Sequence, residues 1–224
     1  FGGIATGAGM LAPQLATMLG FLTTDAVVDP EEFQNVLAKV CDVTFSRVDS
    51  DACMSTNDAV IAMASGACGI SLTADELTDA LTELCAILAR QLVADAEGSR
   101  HDVKVAVTGA TSTEAAVAVA REVTRSNLVK TAVAGNDPNW GRILAAVGCV
   151  REDVAPFDPD QVDVSINGIR VCKAGGIGED RNLVDMGPRE VHIDIELHAG
   201  HAEAAVWTND LTRQYVEENS AYTS

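Results

Sequence analysis

The chain has 224 residues, with 33 acidic side chains against 15 basic ones and a formal net charge of −18. That charge repels polyanions, so nucleic acid and anionic membrane surfaces are excluded as partners. Hydrophobic residues make up 47% and aromatics only 4%. This is enough apolar content to build a core, so disorder is excluded, and the sequence reads as closely packed helix and sheet.

No ionisable side chain occurs between Phe1 and Thr24. Gly2, Gly3, Gly7, Gly9, Pro13 and Gln14 interrupt this stretch, and it lacks a basic leader region. It therefore reads as a buried segment of a soluble core, not a signal peptide or a membrane span. A start at Phe1 instead of Met suggests a processed piece with an upstream half elsewhere. Asp29-Pro30-Glu31-Glu32 is a helix start, and Phe33, Val36, Leu37 and Val40 follow at helical spacing. Thr73-Ala74-Asp75-Glu76 repeats the signal, with Leu77, Leu81, Leu84, Leu88 and Leu92 on one face, which predicts a helix to about Ala94.

Val103, Val105 and Val107 alternate with small or polar residues and predict a strand ending at Gly109. Residues 113–125 read as a helix, 128–133 as a short strand and 143–147 as a short buried helix. Between the last two lies a dense turn signal, Gly135-Asn136-Asp137-Pro138-Asn139. Pro156 and Pro159 mark a junction, after which Val162, Val164 and Ile166 alternate into an Asn167-Gly168 hairpin with Ile169 and Val171. Val191, Ile193, Ile195 and Leu197 form another strand, with residues 202–208 a candidate to pair with it. From the residues alone the class is α+β or α/β with a β-rich final third. The six cysteines at 41, 53, 68, 85, 149 and 172 form no C-x-x-C and read as reduced core thiols of a cytosolic protein.

Three stretches invite chemistry. Gly7-Ala8-Gly9-Met10-Leu11-Ala12 matches a dinucleotide fingerprint, but that motif needs a helix after the glycines. Pro13 would fall inside its first turns, at a cost of about 3 kcal/mol. His192, Asp194, Glu196 and His198 share one strand face and His201 follows; a metal is one reading and an ordinary solvated face the other, which no catalytic motif displaces. The third stretch is Ala16-Thr17 in MLAPQLATMLG. A threonine hydroxyl is a weak nucleophile until a base takes its proton. If the Ala16–Thr17 bond were cut, the freed amine of Thr17, with a pKa near 7.7–8.0, would be such a base.

The segments GAGMLAPQLATML, LTTDA, STND at 55–58, DAEG at 95–98, LVKTAV at 128–133, NDPNWGR at 136–142 and the terminus YVEENSAYTS occur in order from residue 7 to residue 224. Together they resemble the glutamate N-acetyltransferase family, also called ornithine acetyltransferase, of arginine biosynthesis. The resemblance implies a layered α/β/β/α sandwich with a β-rich C-terminal part. It also implies a precursor that cuts itself between Ala16 and Thr17, so that residues 1–16 are the tail of an α chain and 17–224 a β chain. That β chain divides into an α/β layered part over 17–155 carrying the nucleophile and a β-rich part over 156–224 with the substrate-contacting tail.

By the same resemblance Thr17 is the nucleophile, and Glu97, Asn219 and Ser224 contact substrate. Thr6 stands where the family carries a substrate-touching lysine in a KGAGM or KGVGM segment. The implied reaction moves an acetyl group from N-acetylornithine to glutamate through an acetyl-Thr17 ester, without metal or organic cofactor; some members of the family also accept acetyl-CoA. The implied partner is the upstream α chain, which supplies a threonine–glycine oxyanion hole, in a heterotetramer of two α and two β chains in the cytoplasm. Two rival readings are a self-cleaving amidase or aminopeptidase, in which water accepts the acyl group, and a non-catalytic subunit. Arg142 in NDPNWGR is read as structural.

Overall fold

A computed structural model describes residues 1–10, 12, 18–54 and 57–221. Ala16, Thr17 and Ser224, which the sequence singles out, lie outside the described residues. The chain divides into two compact units, Phe1–Ala96 and Glu97–Ser224.

The first unit is a three-stranded sheet with two helices. β1 (Gly2–Thr6) pairs antiparallel with β2 (Leu19–Thr24), α1 spans Pro30–Val43, β3 (Ala59–Ala64) runs parallel to β2, and α2 spans Ala74–Ala94. The helix starts follow the sequence signals. The Asp29 side chain accepts the Glu31 and Glu32 N–H groups, and Thr73 and Glu76 close a reciprocal capping box. Phe33, Val36, Leu37 and Val40 of α1 are buried, as are Leu77, Leu81, Cys85, Leu88 and Leu92 of α2. α2 packs on α1 and on β1. Gly7 and Gly9 lie in a loop and bend after β1, Met10 and Ala12 are not helical, and the rest of the segment where the dinucleotide motif needs its helix lies outside the described residues.

The second unit is a six-stranded mixed sheet. Its elements are β4 (Asp102–Ala110), α3 (Thr113–Arg125), α4 (Asn127–Ala134), α5 (Trp140–Val147), β5 (Asp163–Ile166), β6 (Ile169–Lys173), β7 (Gly176–Ile177), β8 (Glu190–Glu196), β9 (Ala202–Asn209) and α6 (Arg213–Ala221). The strand order is β7-β6-β5-β8-β4-β9. α3 packs on β4 and β9, and its alanines and valines close over Val103, Val105, Val107, Val191, Ile193 and Ile195. The Asn167-Gly168 turn joins β5 to β6 as the sequence predicts, both residues having positive φ. The proline-marked junction near residue 156 lies inside this unit.

Two expectations are corrected here. Residues 128–133 are helical, not a strand: Ser126 accepts the Val129 N–H and starts α4, which buries Val129, Lys130, Ala132 and Val133. Six residues hold too few periods to separate the two structures, and the cap decides. Second, β9 does not pair with β8. It runs antiparallel to β4, which accepts β8 in parallel on its other side. Together the helices and the two mixed sheets are an α/β sandwich class of fold.

Candidate active site

The residues implicated by sequence lie in both units. In the first, β2 begins two residues after position 17. Just before it, the Met18 N–H donates to Asp58 Oδ1 at 2.7 Å and the Met18 carbonyl accepts the Ala59 N–H at 3.0 Å. The chain leaving Thr17 is thus held on both sides of Met18 by the segment entering β3. Thr6 ends β1, exposed, and its Cα pairs with Leu19. The register therefore sets Thr6 beside the start of β2. Met10, with φ of 51°, donates its N–H to Asp51 Oδ2 at 2.6 Å.

In the second unit Glu97 and Asn219, 122 positions apart, meet directly: Asn219 Nδ2 donates to Glu97 Oε2 at 2.9 Å and also to the Tyr215 carbonyl at 3.0 Å. Three devices hold the two segments together. Gly98 has a φ of 63°, and a Cβ on it would lie 2.3 Å from Tyr215 N, so only glycine lets the loop reach the start of α6. Thr212 Oγ1 donates to the Gly98 carbonyl at 2.7 Å and accepts the Tyr215 N–H at 3.2 Å. Asp210 Oδ1 accepts the N–H groups of Arg100 and His101, and its Oδ2 is 2.9 Å from His101 Nδ1. His101 and Asp210 are both buried. Buried Lys130 adds a brace, donating to Thr208 Oγ1 and Asn209 Oδ1 at the end of β9.

Gly98, His101, Asp210, Thr212 and Lys130 were not singled out from the sequence. Their partners lie across the fold, and no local pattern announces a contact at such separation. Gly98 alone gives a signal, as a glycine closing DAEG beyond a long helix.

The remaining candidates resolve as structure. Arg142 Nη1 donates to the Leu128 carbonyl at 2.8 Å and to Thr131 Oγ1 at 3.3 Å, tying α5 to α4 as the structural reading expects. On β8, His192 Nε2 pairs with Glu190 Oε1 at 2.5 Å, while His198 Nε2 lies 3.3 Å from Asp163 Oδ2. Burial works against ionising Asp163, but the Ala174 N–H, His198 and Arg170 outweigh it and hold the carboxyl below its usual range. Among the described residues no group of three or more His, Cys, Asp or Glu is arranged to hold a metal ion. Burial, reinforced by Asp42, pushes the Cys41 thiol up to about 11; burial, with Cys41 adding to it, pushes Cys85 up to about 12. Both therefore stay protonated and inert at neutral pH. No helix among the described residues is long and apolar enough to cross a membrane.

With this arrangement in view, the comparison with known proteins is decisive. Residues 1–224 match the ArgJ family. The chain belongs to the ArgJ family. It is 54% identical over 224 residues to the arginine biosynthesis bifunctional protein ArgJ of Bifidobacterium longum, covering all of this chain and 57% of that protein. The ArgJ protein of Streptomyces avermitilis is 54% identical over 223 residues, again with 57% of its length covered. The crystal structure of the ArgJ protein of Bacillus halodurans superposes with a TM-score of 0.84 at 34% identity, covering 92% of this chain and 100% of that one. The chain spans 57% of the length of these two ArgJ relatives.

Proposed function

We propose that this chain is the acetyl-carrying part of an N-acyltransferase that moves the acetyl group of N-acetylornithine to glutamate, after the precursor cuts itself between Ala16 and Thr17. Thr17 Oγ attacks the acetyl carbonyl while its own amine takes the hydroxyl proton, and the amine then passes that proton to the departing ornithine nitrogen. The amine of glutamate attacks the resulting ester and restores Thr17. An uncharged stretch on either side of the nucleophile suits an ester that must outlast water.

The observation that carries the reading is the Glu97–Asn219 hydrogen bond. The resemblance assigns substrate contact to two residues 122 positions apart, and the fold brings them to 2.9 Å of each other. A carboxylate with a neighbouring amide can hold both the ammonium and the carboxylate of an amino-acid substrate. Glu97 takes the ammonium of ornithine, Asn219 and Ser224 complete the contact, and Thr6, beside the start of β2, holds a neutral hydroxyl where the resemblance implies a lysine.

The upstream α chain is the proposed partner, in a heterotetramer of two α and two β chains in the cytoplasm, and it supplies the oxyanion-hole donors. An apolar sheet face in the first unit supports a partner of this kind. Ile4, Phe21 and Ile61 lie in one row across β1, β2 and β3, with Met63 beside them; Ile4 is 70% exposed, Ile61 44% and Met63 48%. A bare face of this sort marks an interaction surface. The α chain and this chain, produced as one precursor, should yield a fragment beginning at Thr17 by mass spectrometry and acetylate glutamate from N-acetylornithine. Acetate released without glutamate would point instead to the amidase. Acetyl-CoA, offered in place of N-acetylornithine, tests the second donor. Thr17→Ala should abolish both cutting and transfer; a Thr17→Ala protein that retains either overturns the reading, and an intact, inactive wild type establishes a non-catalytic subunit.

A further inference from the structure

We infer that Thr212 is a positioning residue, its one hydroxyl setting the gap between the Glu97 carboxylate and the Asn219 amide. The inference rests on the reading of these two as substrate contacts and extends it to a buried side chain that joins their two segments. Thr212 stands immediately before α6, where a threonine caps a helix. Its Oγ1 accepts the Tyr215 N–H at 3.2 Å, the bond expected of a cap. The same oxygen donates to the Gly98 carbonyl at 2.7 Å, 114 positions away. A hydroxyl has one proton to give and two lone pairs to receive with, so a single atom serves both bonds at once.

The two bonds land one residue and one helical turn from the groups they place. Glu97 directly precedes Gly98, and Asn219 lies four residues beyond Tyr215, its Nδ2 donating to the Tyr215 carbonyl at 3.0 Å. Asn219 therefore rides on the turn that Thr212 caps, and Glu97 on the loop that Thr212 hooks. Glu97 Oε2 is taken by Asn219, so Oε1 is the oxygen left to meet an ammonium group, and its direction follows the loop. Packing does not enforce this alignment, because no residue of α6 is buried.

Thr212 is itself held by its neighbours. The Leu211 N–H donates to the Lys130 carbonyl at 3.2 Å, and Asp210 accepts the Arg100 and His101 N–H groups at 2.9 and 3.0 Å. These anchors fix the far end of the loop and the strand end that leads into α6, without using the Thr212 hydroxyl. Loss of that hydroxyl therefore leaves the unit folded and frees only the Glu97 end of the loop and the first turn of α6. A substrate held at its ammonium, away from the acetyl carbon, is held alike in the ground state and the transition state. Slack at this point weakens binding more than it slows chemistry.

Thr212→Val matches the side chain in shape and lacks the hydroxyl, whereas Thr212→Ser keeps it. In the full precursor with its upstream half, Thr212→Val should raise KM for N-acetylornithine about tenfold with kcat within about threefold, and Thr212→Ser should stay within about twofold of wild type in both. A double-mutant cycle separates positioning from stability. Glu97→Ala removes the group being placed, so adding Thr212→Val to it should change KM by less than about twofold more. Thr212→Ala is measured in the same way where the valine variant does not accumulate. A wild-type KM in the variant without the hydroxyl, a serine variant as impaired as the valine one, or losses that multiply in full with Glu97→Ala overturn the inference. An unchanged KM in Glu97→Ala overturns the parent reading instead.

Discussion

The two units solve the same packing problem to different degrees. The second closes its sheet under α3, and the valine and isoleucine ladder of β4 and β8 is almost inaccessible to solvent. Its other face carries polar pairs, with His198 against Asp163 and Thr108 Oγ1 on Glu196 Oε2. The first unit packs α2 against its sheet on one side and leaves Ile4, Ile61 and Met63 in solvent on the other. Alternation of polar and apolar residues marks a sheet that is finished, as in β8. Its absence, as in Ala-Val-Ile-Ala-Met-Ala of β3, marks one that needs a cover.

That contrast is open to attack by mutation, beginning with the core. Ile195→Ala removes a side chain 1% exposed and should cost about 2–5 kcal/mol in urea unfolding. Ile61→Ser should stay within about 0.5 kcal/mol in the chain alone, yet weaken association with the upstream half. Equal costs for the two would erase the distinction between the units. Gly98→Ala tests whether the second unit's rigidity serves the site. Its Cβ would drive the start of α6 away from the loop carrying Glu97, and kcat/KM should fall ~10²-fold, since a displacement of about 1 Å suffices for such a loss.

A third prediction probes the helix pair of the first unit. Folding raises the Cys41 and Cys85 thiols above their ordinary value, so the folded chain holds protons that the unfolded chain releases. Their contribution is fully present below the unfolded pKa and is lost as pH rises from about 9 toward the folded values of about 11 and about 12. Cys85 alone should account for on the order of 2 kcal/mol by pH 10.5, and Cys85→Ala should flatten the fall in urea midpoint between pH 8.5 and about 10.5. Smallest of all, Arg151→Ala should change stability by less than about 0.5 kcal/mol, because its pair with Asp153 is solvent-exposed.

Helices α1 and α2, the β5–β6 hairpin and β8 could be read from the sequence, because caps, turn residues and periodicity are local signals. Strands β2 and β3 were missed: Leu-Gly-Phe-Leu-Thr-Thr and Ala-Val-Ile-Ala-Met-Ala lack a clean period of two, and only pairing identifies them. α4 was misread for want of length. At the site, Glu97 and Asn219 were named through resemblance to a family, not through chemistry visible at either position. Asp210 and Asp58 carried no local mark at all, since one acts on backbone 109 residues away and the other on Met18 across 40 residues.

The position of β4 between β8 and β9 has a consequence for synthesis. Both of its neighbours are encoded near the end of the chain, so when Asp102–Ala110 leaves the ribosome neither flank exists. At roughly 5–20 residues per second the strand waits for several seconds with its hydrogen-bonding groups unclaimed. In that interval α3, emerging directly behind it, is the first element able to shield its valines, and a nascent chain stalled before residue 190 should be the form that chaperones hold.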